Sequence, residues 1–263
     1  MKIKAKKSLG QNFLIDQNII NLITNSADIK QNDVLLEVGP GTGNLTEKIL
    51  LKKPKKIIVV EKDKELVKKL YKKFDNKILI INDDILNINE EKLSKNKIII
   101  FGNLPYNIST QILVKWIRLK NLNSVCKKFI LMFQKEVADR ILANTGEKQY
   151  GRLSILSCWK MNIKKIKEIS PNSFYPSPKV RSTILLFEPK KSFFDLKNPK
   201  NLEYITGIFF NQKRKMVKKP LRKIFGNIKE ISEKLKINIS ERPQKLSPNM
   251  YFKICKEYEN LLF

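Results

Sequence analysis

Val34-Leu35-Leu36-Glu37-Val38-Gly39-Pro40-Gly41-Thr42-Gly43 is a short apolar run closed by three glycines. A run of this length, stopped by turn formers, reads as a buried strand. The glycines let the chain turn sharply and bring its backbone against a ligand. The same grammar continues outward. Asp16 opens a helical pattern with Ile19, Ile20 and Ile23 on one face. Residues 44–51 read as a helix and 57–60 as a second apolar strand. Asp63 caps a helix carrying Leu66, Val67, Leu70, Tyr71 and Phe74 on one stripe. Residues 78–81, 98–101 and 129–133 are further apolar runs with helical patterns between them. Strand and helix in alternation predict a parallel sheet covered on both faces, an α/β fold of Rossmann-like design.

Beyond Pro189 the pattern changes. Helical stretches are expected at 201–211, 213–225, 228–236 and 249–261, the last introduced by Ser247-Pro248, a cap followed by proline at the first helical position. The expected organisation is therefore a domain at 1–189 and a small all-helical domain at 190–263.

The chain carries 53 Lys and Arg against 25 Asp and Glu, a net charge of +28, and no histidine. The missing imidazole excludes Ser-His-Asp triads, Cys-His pairs and histidine-bearing metal sites, and no metal is expected. Cys126, Cys158 and Cys255 lie far apart and form no CxxC. They read as buried thiols in a reducing, cytoplasmic setting. No apolar run approaches the roughly 18 residues of a membrane span. The basic start of the chain lacks the apolar core of a secretory signal. No membrane partner is expected. The charge points to a polyanion such as nucleic acid. Lysine is inflated throughout the chain, so location matters more than the total. Residues 190–263 hold 18 Lys and Arg against 7 acids, denser per residue than the rest. The peak is 213–223, with Lys213, Arg214, Lys215, Lys218, Lys219, Arg222 and Lys223 and no acid. It reads either as a solvated basic face or as a contact for phosphates.

Three strand ends carry the cofactor signal. A dinucleotide fingerprint runs G-x-G-x-x-G, whereas Gly39, Gly41 and Gly43 run G-x-G-x-G with Pro40 inside. Glu61 closes the second strand, placed to accept hydrogen bonds from both hydroxyls of a ribose. Asn82-Asp83-Asp84 closes the third, where a carboxylate can accept from an adenine amino group. This combination is typical of S-adenosylmethionine-binding folds.

The fourth strand runs into Gly102-Asn103-Leu104-Pro105-Tyr106, continued by Asn107-Ile108-Ser109-Thr110. Asn-x-Pro-aromatic at this position resembles the signature of methyltransferases acting on exocyclic amino groups. The Leu variant resembles the bacterial small-subunit (16S) ribosomal RNA adenine dimethyltransferase family, the kasugamycin-resistance type. Further segments match in order: Gly10-Gln11-Asn12-Phe13-Leu14, Gln134-Lys135-Glu136-Val137, Tyr150-Gly151-Arg152-Leu153-Ser154, Phe174-Tyr175-Pro176-Ser177-Pro178-Lys179-Val180 and Phe210-Asn211-Gln212-Lys213-Arg214-Lys215. The resemblance implies S-adenosylmethionine as cofactor and 16S ribosomal RNA, in the small subunit or its precursor, as partner. It implies dimethylation of two adjacent adenines in the 3′-terminal hairpin. The protein is expected to be monomeric.

Residue by residue, it implies cofactor contacts from Asn12, Leu14, Gly39, Gly41, Glu61, Asp84 and Asn103. It places Asn103, Leu104, Pro105, Tyr106 and Phe174 at the reacting base, Phe174 covering the face opposite Tyr106. Phe13 reads as packing. The family's use of its C-terminal region against RNA favours the phosphate reading of 213–223. Rival readings are a large-subunit adenine methylase of the antibiotic-resistance type, a non-catalytic assembly or transcription-factor relative and, remotely, a nicotinamide dehydrogenase.

Overall fold

A computed structural model describes residues 5, 6 and 9–262. The chain forms two units. The first runs to Ala138 and resumes at Asn162–Pro189, and the second comprises Asp139–Met161 and the chain from Lys190 onward.

In the first unit a two-residue strand, β1 (Phe13–Leu14), precedes α1 (Gln17–Ser26). The Asp16 side chain accepts from the Asn18 and Ile19 amides, so the helix starts where its orphan N–H groups find an acceptor. There follow β2 (Val34–Val38), α2 (Asn44–Leu50), β3 (Lys56–Val60), α3 (Lys64–Phe74), β4 (Leu79–Ile81), β5 (Ile98–Asn103), α4 (Ser109–Ile117), α5 (Leu122–Val125) and β6 (Cys126–Gln134). Next comes α6 (Lys135–Leu142), which crosses the unit boundary, and after α7 (Arg152–Lys160) of the second unit the first resumes with β7 (Met161–Ile169), β8 (Phe174–Tyr175) and β9 (Ser182–Pro189).

The sheet order is β4-β3-β2-β5-β6-β9-β7. From β4 to β6 every neighbouring pair is parallel, and β9 lies antiparallel to β6. Every residue of β2 is buried, as expected of a central strand covered on both faces. The chain leaves β2 towards β3 and β4 on one side and returns to β5 and β6 on the other. That reversal opens a crevice at the strands' carboxyl ends, where open α/β sheets bind ligands. The sheet is thus not wholly parallel as the apolar runs predicted, because β7 and β9 extend it beyond β6.

The second unit is helical, with α7 packed on α8 (Pro199–Phe210) and α11 (Pro248–Leu261), and with α9 (Lys218–Phe225) and α10 (Ile228–Leu235) between. Glu259 of α11 is fully buried. Its carboxylate accepts from the Lys197 and Asn198 amides, both at 2.9 Å, and from Asn201 Nδ2 at 3.1 Å. A carboxylate at a helix N-terminus satisfies orphan donors and complements the helix dipole.

Two expectations need correction. Residues 139–161 belong with the helical unit rather than with 1–189, because α7 buries its apolar residues against α8 and α11. The helix expected over 213–225 begins only at Lys218. Val217 and Lys218 donate their amides to the Glu241 and Ile239 carbonyls instead of to a helical turn behind them.

Candidate active site

Gly41 and Gly43 both have positive φ, +58° and +77°, conformations glycine adopts without strain. A Cβ on Gly41 would stand 2.8 Å from the Phe13 ring, and one on Gly43 2.5 Å from the Phe74 ring. The loop is therefore tight against the N-terminal segment on one side and α3 on the other. Phe13 is buried and holds this packing role, although it also borders the cavity.

The cavity, with about 200 Å³ of internal space, lies over the carboxyl ends of β2, β3, β4 and β5. Asn12, Leu14, Gly39, Gly41, Glu61, Asp84, Asn103, Leu104, Pro105 and Tyr106 all line it. The structure thus brings together every residue expected at the cofactor and all but one of those expected at the base.

Glu61 is 7% exposed. One carboxylate oxygen accepts from the Asp63 amide at 2.9 Å and the other from the Gly41 amide at 3.3 Å. Each oxygen keeps a lone pair for a further donor. Burial pushes the Glu61 carboxyl above its ordinary range, with the two backbone bonds opposing the rise. A diol donating both hydroxyls here would replace the water that the carboxylate has lost. At the third strand end, Asp84 accepts from the Leu86 amide and pairs with Lys62, both at 2.9 Å. Burial alone would raise its carboxyl, but the amide and the ammonium hold it below the ordinary range. The two carboxylates, the glycine loop and the apolar wall of Ile85 and Leu66 fit the ribose and base of an adenosyl group.

Asn103 Nδ2 donates to the Asn12 carbonyl at 2.7 Å. A carbonyl only accepts, so this bond fixes the amide orientation and leaves Asn103 Oδ1 as the free acceptor. The turn behind it is closed by Ile108 N donating to the Pro105 carbonyl at 3.1 Å and Ser109 Oγ to the Tyr106 carbonyl at 3.2 Å. The Tyr106 hydroxyl shares a 2.6 Å hydrogen bond with buried Ser182 Oγ of β9, which anchors the ring.

The N-terminal segment is held as a strap. Asn44 Nδ2 donates to the Leu14 carbonyl at 2.9 Å, and Gln11 Nε2 to Asp63 at 3.0 Å. Lys6 Nζ meets the same Asp63 carboxylate at 2.8 Å. β1 pairs antiparallel with β8, Leu14 opposite Phe174.

Phe174 is the residue the structure does not bring in. It is 3% exposed, packs in the core cluster that includes Leu14 and Ile169, and does not line the cavity. The strand alternation at β8 turns it inward and Tyr175 outward. The sequence reading also passed over Glu37, which borders the cavity. It is 3% exposed, accepts from Thr46 Oγ1 at 2.6 Å, and is pushed up to about 7 by burial. Its acid in an otherwise apolar strand is the signal that could have found it.

In the helical unit the seven basic residues from Lys213 to Lys223 are all exposed. Lys213, Arg214 and Lys215 sit in the turn after α8, the other four on α9. Among the described residues no cluster of acids and thiols could hold a metal ion, and no helix is long and apolar enough to cross a membrane.

The family model for ribosomal RNA adenine dimethylase matches residues 2–260. The chain belongs to this family. It is 58% identical over 261 residues to the ribosomal RNA small subunit methyltransferase A of Pelagibacter ubique, covering 99% of both chains. It is 37% identical to the protein of the same name from a Wolbachia of Drosophila simulans, covering 98% of this chain and 95% of that one. Among solved structures, a dimethyladenosine transferase from Plasmodium falciparum superposes with a TM-score of 0.78 at 29% identity, covering 94% of this chain and 98% of the other. The enzyme is thus an adenine dimethyltransferase, and its cofactor is S-adenosylmethionine.

Proposed function

We propose that the strand-edge cavity dimethylates the 6-amino groups of two adjacent adenines in the 3′-terminal hairpin of small-subunit ribosomal RNA. The observation that carries this reading is the Asn103 amide, whose nitrogen is pinned by Asn12 so that its oxygen is left to accept, in a cavity also lined by the anchored Tyr106 ring. The names of the relatives at 58% and 37% identity support the small-subunit substrate over the large-subunit one.

Glu61 would hold the ribose hydroxyls of the cofactor and Asp84 its base, with Gly39, Gly41, Asn12 and Leu14 lining the same cavity. When bound, S-adenosylmethionine supplies a methyl group already activated by its sulfonium charge. The chain's own task is therefore mainly to position the nucleophile. An adenine amino group is a poor nucleophile because its lone pair is delocalised into the ring. In the first transfer Asn103 Oδ1 and the Leu104 carbonyl each accept one of its two N–H groups, which draws the nitrogen towards tetrahedral geometry and frees the lone pair. In the second the monomethylated nitrogen has one N–H left, and one of the two oxygens accepts it. Pro105 fixes the turn, having no N–H of its own. Tyr106 stacks on the base, a contact of roughly 1–3 kcal/mol, and the base must leave its helical stack to reach it. Phe174 acts from behind, holding the strap through its pairing with Leu14.

No histidine is needed, since the methylated amine is acidic enough to lose its proton to a carbonyl or water. Lys213, Arg214, Lys215, Lys218, Lys219, Arg222 and Lys223 contact phosphates and place the RNA without reading its sequence. The free thiols, two of them buried, suit a cytoplasmic protein.

The test offers small-subunit and large-subunit RNA in parallel with methyl-labelled cofactor. Label in the small-subunit RNA alone is expected. Equal label in both, or label in the large-subunit RNA only, would overturn the substrate assignment.

A further inference from the structure

The segment that carries Asp84 has little regular structure of its own. It continues through two single 3₁₀ turns, Ile85–Asn87 and Glu90–Lys92, before β5 begins. Backbone with so few ladder bonds keeps a fixed shape only if other groups satisfy its carbonyls. Lys115 of α4 does this. Its ammonium donates to the Ile85 carbonyl at 2.8 Å, to the Ile88 carbonyl at 2.6 Å and to Glu90 Oε1. These three bonds use all three of its donors. Glu90 is 1% exposed, and the same oxygen accepts from Trp116 Nε1 at 2.7 Å, the neighbour of Lys115 on α4. Both ends of the segment are thus tied to one helix, and that helix starts three residues after Tyr106. Ile85, whose carbonyl Lys115 holds, lines the cavity beside Asp84.

We infer that Lys115, with Glu90, is a positioning residue that presets the base end of the cofactor site and couples it to the helix following the catalytic turn. It touches neither cofactor nor target base in this account. It acts by holding the Ile85–Glu90 segment so that Asp84 and Ile85 are already placed when the cofactor arrives, which lowers the ordering cost of binding. The positive charge also lies close enough to help keep Asp84 ionised. The inference rests on the reading of Asp84 as the partner of the cofactor's base.

The test replaces Lys115 by methionine, of similar length but without donors, and measures binding of S-adenosylhomocysteine by calorimetry beside steady-state kinetics. Lys115→Met is expected to weaken binding about tenfold, equivalent to ~1.4 kcal/mol. The KM for S-adenosylmethionine should rise by the same factor, with kcat at saturation and the KM for RNA unchanged. A loss of general stability would not produce that split. Binding like the wild type's, or a fall in kcat without a change in KM, overturns the inference. Asp84→Asn, run in parallel, separates the two layers. If it too binds normally, the reading of Asp84 falls. If it binds weakly while Lys115→Met does not, only the inference falls. Should Lys115→Met fail to fold, Glu90→Gln keeps the oxygen acceptor and removes the charge. It is expected to weaken binding in the same direction, and unchanged affinity would overturn the inference.

Discussion

In the strand-edge cavity Glu61 is 7% exposed with both oxygens already engaged, and Asn103 is fixed by a 2.7 Å bond to a strap residue. In the helical unit the seven basic residues from Lys213 to Lys223 stand in solvent. The polar groups of the cavity depend on one another, so one substitution should disable the whole. The exposed cations act through summed charge, so each should matter little and their number should matter more. Four variants probe that difference.

Asn103→Ala should have the largest effect. Losing one preorganised hydrogen-bonding partner lowers kcat by about 10²–10³, while RNA affinity measured by filter binding should stay near the wild type's. Near-normal turnover would remove Asn103 from the chemistry.

Glu61→Gln comes next. A charge-assisted bond contributes roughly 1.5–3 kcal/mol, so cofactor affinity should fall at least tenfold. The pH dependence gives a sharper readout. The ribose hydroxyls need the ionised carboxylate, and burial holds the Glu61 carboxyl above its ordinary range. As pH falls through that raised value, wild-type affinity should drop by about tenfold per unit, and binding should release a proton. Calorimetry of Glu61→Gln should show neither effect.

Glu37 tests the cavity's cost in stability. Its carboxyl moves from an ordinary 4.5 to about 7 on folding, through burial. The native state therefore binds more protons across that window, and stability should fall as pH rises from 4.5 to about 7. The full loss is about 3 kcal/mol, from 1.36 kcal/mol per unit. Glu37→Gln, which keeps an acceptor for Thr46, should flatten that part of the profile in urea denaturation. An unchanged profile would mean that Glu37 ionises freely in the folded chain.

The smallest effect per residue belongs to the basic stretch. Changing Lys213, Arg214 and Lys215 together to glutamine should weaken RNA binding and reduce the slope of log affinity against log salt by about 2–3. Each single change should cost only a few-fold. An unchanged slope would return the stretch to a solvated face.

The two regions also differed in how far they could be read beforehand. Apolar runs stopped by glycine or acid marked β2, β3, β4 and β5; their ends pointed to Glu61 and to the acids of 82–84, and the family resemblance then singled out Asp84 and Asn103. β7 escaped because Lys164, Lys165 and Lys167 are exposed along it and interrupt its apolar pattern. The inward turn of Phe174 depends on pairing with Leu14, a partner at the other end of the unit's sequence. The membership of 139–161 depends on packing against helices that come later in the chain. The late start of α9 depends on the Ile239 and Glu241 carbonyls. Lys115 is one lysine among many in the sequence, and only the three acceptors converging on it set it apart. Local periodicity, punctuation and the family's short motifs carried what was legible, and non-local packing and hydrogen bonds carried the rest.

Mass spectrometry of small-subunit RNA, digested after incubation with the protein and S-adenosylmethionine, tests the central claim most directly. The account predicts dimethyladenosine at two adjacent positions of the 3′-terminal hairpin with the wild-type chain, and its formation slowed about a hundredfold or more with Asn103→Ala. Methylation on another base, on a ring nitrogen of adenine, or undiminished in the Asn103 variant would contradict it.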